Sequence, residues 1–130
     1  MYLYTHFTQS DVDEFADGYW TALGWSESGG GYDFDDLMPG DLSPEDVERV
    51  NADIARFLSR VDKDPVLAEA VGDDLSRAGH DFVLTRNGHG AGFWDGDWGE
   101  YGDALTKIAQ SFPEQHLYVG DDDDLVYLLE

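Results

Sequence analysis

The chain has 130 residues, 29 acidic against 7 basic, for a formal net charge of −22, and it contains no cysteine. That length gives one domain with room for a core, and the missing thiols exclude disulfides, thiolate metal sites and cysteine nucleophiles. No apolar run reaches the ~20 residues of a membrane span and the first residues lack a basic leader, so a soluble, cytoplasmic chain is expected.

Disordered acidic tails lack aromatics. This chain carries 4 Trp, 7 Tyr and 7 Phe, and so is expected to fold against its own repulsion. In chain order, Ser10 followed by Asp11, Asp13 and Glu14 predicts a helix over 11–23, with Val12, Phe15, Tyr19 and Leu23 on its buried face. Residues 26–41, SESGGGYDFDDLMPGD, predict an acidic loop broken by Gly29, Gly30, Gly31, Pro39 and Gly40.

The clearest start signal follows. Ser43 is placed to cap, Pro44 stands at the first helical position, Asp46 at the third, and Leu42 is spaced to staple onto Val47. Val47, Val50, Ile54, Phe57, Leu58 and Val61 give the buried stripe, with Arg49, Asp53, Arg56 and Arg60 assigned to the opposite side. Asp64 and Pro65 then predict a helix through Leu67, Val71 and Leu75, closed by Gly79.

From residue 80 the pattern changes. HDFVLTRN reads as a strand, NGHG as a hairpin turn and GFW as a short extended run, with Gly92, Phe93 and Trp94 against the core. Residues 101–112 return to helical spacing through Leu105, Ile108 and Phe112. HLYVG and LVYLL flank DDDD as a second hairpin. The expected fold is therefore α+β: N-terminal helices on one face of a small antiparallel sheet, with a β-β-α-β-β C-terminal half.

Catalytic patterns are sparse. His80 and His89 with Asp81 or Asp95 have the residue types of a general base, or of a two-histidine, one-carboxylate metal site. Neither HExxH nor GxSxG is present. DGDWGEYGDALT places Gly, Glu and Thr where a calcium loop needs other residues, and no phosphate-binding glycine loop precedes a helix. No cofactor or metal is expected, and so negative a field repels nucleic acid.

The acids are also segregated. Residues 1–48 hold 12 acids and no base, 49–86 hold 7 acids and 6 bases, and 87–130 hold 10 acids and Lys107, giving −12, −1 and −9. That unevenness argues against uniform halophilic solvation. A globule of this length is about 36 Å across, and 22 charges correspond to ~37 Å of duplex DNA, so the chain carries about the charge of the DNA it would displace. Carboxylates held by a rigid core also spare the ordering cost of a disordered tail.

The stretch AGHDFVLTRNGHGAGFWD, residues 78–95, with LYVGDDDDLVY, residues 117–127, resembles short proteins encoded by bacteriophages and mobile elements. Together with its acidity, the chain resembles the DNA-mimic inhibitors, a class that includes anti-CRISPR and anti-restriction proteins. The resemblance implies a non-enzymatic inhibitor that occupies the basic DNA-binding cleft of a host CRISPR effector or restriction enzyme. The acidity argument assigns three candidate docking faces: Asp33, Asp35, Asp36, Asp41, Glu45, Asp46 and Glu48; then Asp95, Asp97, Glu100 and Asp103; then Asp121, Asp122, Asp123 and Asp124. A small metal-dependent hydrolase using His80 and His89, and a halophilic acidic domain, are the alternatives.

Overall fold

A computed structural model describes residues 4–28, 34, 37–89, 91–94, 96, 98–120 and 126–129. Helix α1 spans Gln9–Glu27 and begins before the expected cap: the Thr8 hydroxyl accepts from the Asp11 backbone N–H, and the Asp11 carboxylate accepts from the Thr8 N–H. This reciprocal arrangement satisfies two otherwise orphaned donors. Ser10 therefore lies inside the helix.

Helix α2, Pro44–Asp62, starts where expected, with the Ser43 hydroxyl 3.2 Å from the Asp46 N–H it accepts. Helix α3, Pro65–Gly72, opens on Asp64, whose carboxylate accepts from the Val66 N–H. The expected single helix ends at Gly72. After a short turn, α4 runs Leu75–Arg86.

Helix α4 overturns the expected strand and first hairpin. HDFVLTR is helical, and its apolar density arises because residues 81–86 are all buried. A helix covered on every side has no polar stripe, so its period is lost and its letters resemble a buried strand. Gly79 does not close a helix. It lies within α4 and permits close crossing with α1: a Cβ there would sit 2.0 Å from the Phe15 carbonyl oxygen, and one at Gly18 would sit 1.9 Å from that of Ser76.

The Asn87-Gly88 pair ends α4 instead of turning a hairpin. Gly88 has φ of 68°, its N–H donates to the Thr85 carbonyl, and the His89 N–H reaches back to Leu84 at 2.9 Å. This is the Schellman pattern of helix termination, which needs the same left-handed residue as a tight hairpin. Residues 91–94 form turns and bends. Gly92, at φ of 152°, lies against the Thr85 hydroxyl, which accepts from the Phe93 N–H. Phe93 is thereby drawn into the core beside Phe57, and Trp98 packs on its edge.

Helix α5, Gly102–Gln110, buries Leu105 as expected and also Ala109, while Ile108 is half-buried and Phe112 lies beyond the helix end. Strands β1, His116–Val119, and β2, Val126–Leu129, pair antiparallel with His116 opposite Leu129. They form the one sheet among the described residues, so the β-β-α-β-β topology is replaced by a mostly helical α+β fold with a two-stranded ribbon. Phe15, Phe57, Phe82 and Phe93 form the aromatic centre of the core, with the Phe57 and Phe82 rings stacked 4.2 Å apart. No helix among the described residues is long and apolar enough to cross a membrane.

The α1–α4 crossing yields a paired test. Gly79→Ala is expected to lower the unfolding free energy by about 3 kcal/mol, because backbone cannot retreat from the new methyl. Gly72→Ala, which meets no atom within 4 Å, is expected to stabilise by up to about 1 kcal/mol. Urea denaturation of both variants checks the pair, and equal effects would contradict the crossing.

Candidate functional site

The seven bases determine which acids remain uncompensated. Arg49 pairs with Asp46 at 3.3 Å, Arg56 with Asp53 at 2.9 Å, Arg77 with Asp81 at 3.6 Å, and Arg86 with Asp53 at 3.0 Å. All three partner carboxylates are buried. Burial without a counter-charge would cost several kcal/mol per ion, so the arginines are drawn to these acids before any on the surface. Helical spacing predicts Asp53 on the polar face beside Arg49; it is instead a core carboxylate held between Arg56 and Arg86.

Five of the candidate docking acids, Asp41, Glu45, Glu48, Glu100 and Asp103, are exposed. Asp46 is not: it is 8% exposed and accepts from the Leu128 N–H at 3.2 Å, joining the start of α2 to β2. Its position in the first turn of α2 served both as a helix-start signal and as a ribbon anchor, which removes it from any docking face. Asp33, Asp35, Asp36, Asp95, Asp97 and Asp121 to Asp124 lie outside the described residues.

The structure adds acids that sequence reasoning had not selected. Asp13, Glu14 and Asp17 are exposed on α1. Glu69, Asp73 and Asp74 are exposed on α3 and the turn after it. Glu100 raises the Tyr101 hydroxyl above the usual phenol range by its charge and a hydrogen bond, and the charges of Glu69 and Asp73 add to the effect. Two segments far apart in sequence, the end of α3 and the stretch at Glu100, thus direct negative charge at one phenol. The i,i+4 spacings of Asp13 with Asp17 and of Glu69 with Asp73 were the available signal.

The alternative pairing of His80 and His89 around Asp81 does not form among the described residues, and Asp95 lies outside them. His80 Nδ1 lies 3.3 Å from Asp81, and its Nε2 accepts from the Trp25 indole N–H at 3.2 Å. Both ring nitrogens are engaged, so a base at His80 requires Trp25 to leave. His89 meets the edge of the same Trp25 ring, 5.6 Å between centroids. Asp81 also accepts from the Trp98 indole N–H at 2.7 Å. Among the described residues, no three His, Asp or Glu side chains converge as a metal centre requires.

His116 forms a separate acidic contact. Its Nδ1 lies 3.0 Å from Glu27 and its Nε2 3.0 Å from Glu114, while Glu27 also accepts from the Leu117 N–H. Burial disfavours the charged ring, but the hydrogen bonds and charges of the two glutamates outweigh it and raise the His116 pKa above its usual value of 6.5. The cluster fastens the end of α1 to β1.

No family model matches the chain, and no curated protein or solved structure does either.

A raised histidine pKa means that the folded state holds the proton more tightly than the unfolded one. The His116 contribution is therefore fully present below about pH 6.5 and is lost as pH rises through the folded value. Thermal melts at intervals from pH 5.5 to 8.5 are expected to show a declining Tm in the native chain and a smaller decline in His116→Gln. Parallel curves would contradict the Glu27–His116–Glu114 link.

Proposed function

We propose that this protein is a stoichiometric, non-enzymatic DNA mimic that enters the basic DNA-recognition cleft of a host CRISPR surveillance complex and blocks duplex DNA from docking; a restriction enzyme is the second target of the same chemistry. The observation that carries this reading is the disposition of charge: Arg49, Arg56, Arg77 and Arg86 are committed to buried acids. Among the described residues, no ion pair joins a base to Asp13, Glu14, Asp17, Glu45, Glu48, Glu69, Asp73, Asp74, Glu100 or Asp103. These carboxylates stand on helices and helix ends, so their spacing is held by the core.

Such an array attracts a basic cleft for the reason that DNA does: both release counterions and desolvate lysine and arginine donors on docking. It cannot be read by base pairing, and it offers no scissile phosphate. The partner's DNA-binding residues are therefore occupied without turnover. The benefit is shared over many charges, in keeping with the chain's aggregate of −22.

The test is a gel-shift panel in which purified CRISPR surveillance complexes and restriction enzymes meet target duplex, with this protein near stoichiometric. Inhibition is expected against at least one partner, falling as salt rises. Two charge-reversed forms, Glu45→Lys with Glu48→Lys and Asp73→Lys with Glu100→Lys, are expected to weaken inhibition and flatten its salt dependence on whichever face docks. A salt-insensitive complex, or inhibition untouched by both reversals, would sink the mimicry reading.

A further inference from the structure

Positive charge gathers at one place on this molecule. Arg56 and Arg60 recur at helical spacing on α2 with Lys63 at its C-terminal cap, and the first two line an open cavity of about 490 Å3 between α2 and the link from α5 to β1. Ser59 and Ser111 contribute hydroxyls, and Phe112 and Pro113 give it an apolar wall. The volume lies within the roughly 300–1,000 Å3 typical of small-molecule sites.

Asp53 also lines the cavity, and its charge is already met on both oxygens. Arg56 Nη1 lies 2.9 Å from Oδ1, and the buried Arg86 Nη2 lies 3.0 Å from Oδ2. Two guanidiniums thus pair with one carboxylate, and Arg60 adds a third to the cavity lining, leaving a local positive excess. Each exposed guanidinium is oriented by a single anchor: Arg56 by Asp53, and Arg60 by the Ser111 hydroxyl, whose own proton goes to the Ile108 carbonyl. The remaining N–H donors of each fork are available to an oxyanion.

We propose that this cavity is a binding site for a small oxyanion carried on an aromatic or apolar body, a carboxylate or a phosphate monoester, with its head between Arg56 and Arg60 and its body against Phe112 and Pro113. A polyanion is disfavoured because its extended charge meets the acidic remainder of the surface. A small anion feels chiefly the charges within a Debye length of about 8 Å; there Arg56 and Arg60 line the cavity, and the lining carboxylate, Asp53, is already paired. The site is separate from the acidic surface proposed to meet a DNA-binding partner.

The test follows backbone amide shifts by NMR while benzoate, phenyl phosphate or inorganic phosphate is titrated into the intact protein at 150 mM salt (about physiological ionic strength). Saturable shifts at Ser59, Ser111 and Phe112 are expected with at least one aromatic anion, and weaker binding with inorganic phosphate, which lacks the body. Saturation by benzoate alone assigns a carboxylate ligand, and by phenyl phosphate alone a phosphate monoester. Arg60→Gln leaves the Asp53–Arg86 pair intact and is expected to weaken binding by roughly tenfold, the loss of one charge-assisted donor set. Linear, unsaturating shifts with both aromatic anions overturn the proposal, as does unchanged affinity in a natively melting Arg60→Gln. If that variant fails to fold, the location of shifts in the native protein decides: shifts elsewhere overturn the site. The charge-reversed surface variants should bind the anion undiminished, which separates this site from the docking reading.

Discussion

The buried guanidinium of Arg86 is the interaction on which the fold depends. It donates from Nε to the Pro113 carbonyl at 2.8 Å and from Nη1 to the Tyr19 hydroxyl at 3.1 Å, and its Nη2 faces Asp53 at 3.0 Å. The last contact is an ion pair without hydrogen-bond alignment, since neither atom has a hydrogen-bond partner. The Phe82 and Phe112 rings lie 5.4 and 5.6 Å from its central carbon. A charge buried this fully is tolerable only when all its partners are present, so α1, α2, α4 and the approach to β1 must assemble together. Tyr19 also donates to Gln115, whose backbone exchanges two 2.7 Å hydrogen bonds with the Asn87 side chain. The polar network thereby closes around the end of α4.

This arrangement shapes the surface. In a chain with seven bases, placing one arginine inside and pairing others with buried aspartates leaves few cations to offset the exterior. Self-repulsion among the remaining acids opposes compaction. The stacked phenylalanines and the close α1–α4 crossing oppose that repulsion with short-range contacts insensitive to salt. Among the described residues the outcome is an exterior rich in exposed acids, with Arg56 and Arg60 together at one cavity, and both features follow from where the arginines of α2 and α4 found partners.

Much of the architecture was legible because its signals are local. Thr8 aside, the caps at Ser43 and Asp64 and the prolines after them announce α2 and α3 within a single turn, and the apolar stripes of α2 and α5 have the helical period. The terminal ribbon was legible from two short apolar runs on either side of four consecutive aspartates. Helix α4 was not: burial of all of residues 81–86 erased the period of its second half, and Asn87-Gly88 serves a Schellman cap as well as it serves a hairpin. The candidate site divided the same way. Exposed Glu45, Glu48, Glu100 and Asp103 were identifiable as charge on polar faces, whereas the inward turn of Asp46 was not.

By itself, then, the sequence determined net charge, its uneven distribution, the absence of thiol chemistry, and the helices whose ends are capped by neighbours three or four residues away. Tertiary structure alone decided which charges are inside. Asp53 and Arg86 are far apart along the chain, and nothing in the spacing of either foretells the other, because a buried ion pair is selected by the free energy of desolvating both groups at once. The same long-range selection brought Glu69, Asp73 and Glu100 around Tyr101, and brought Arg56 and Arg60 to one cavity with Phe112. Local rules act through backbone geometry within a turn, while the fate of each charge depends on which segments the core brings beside it.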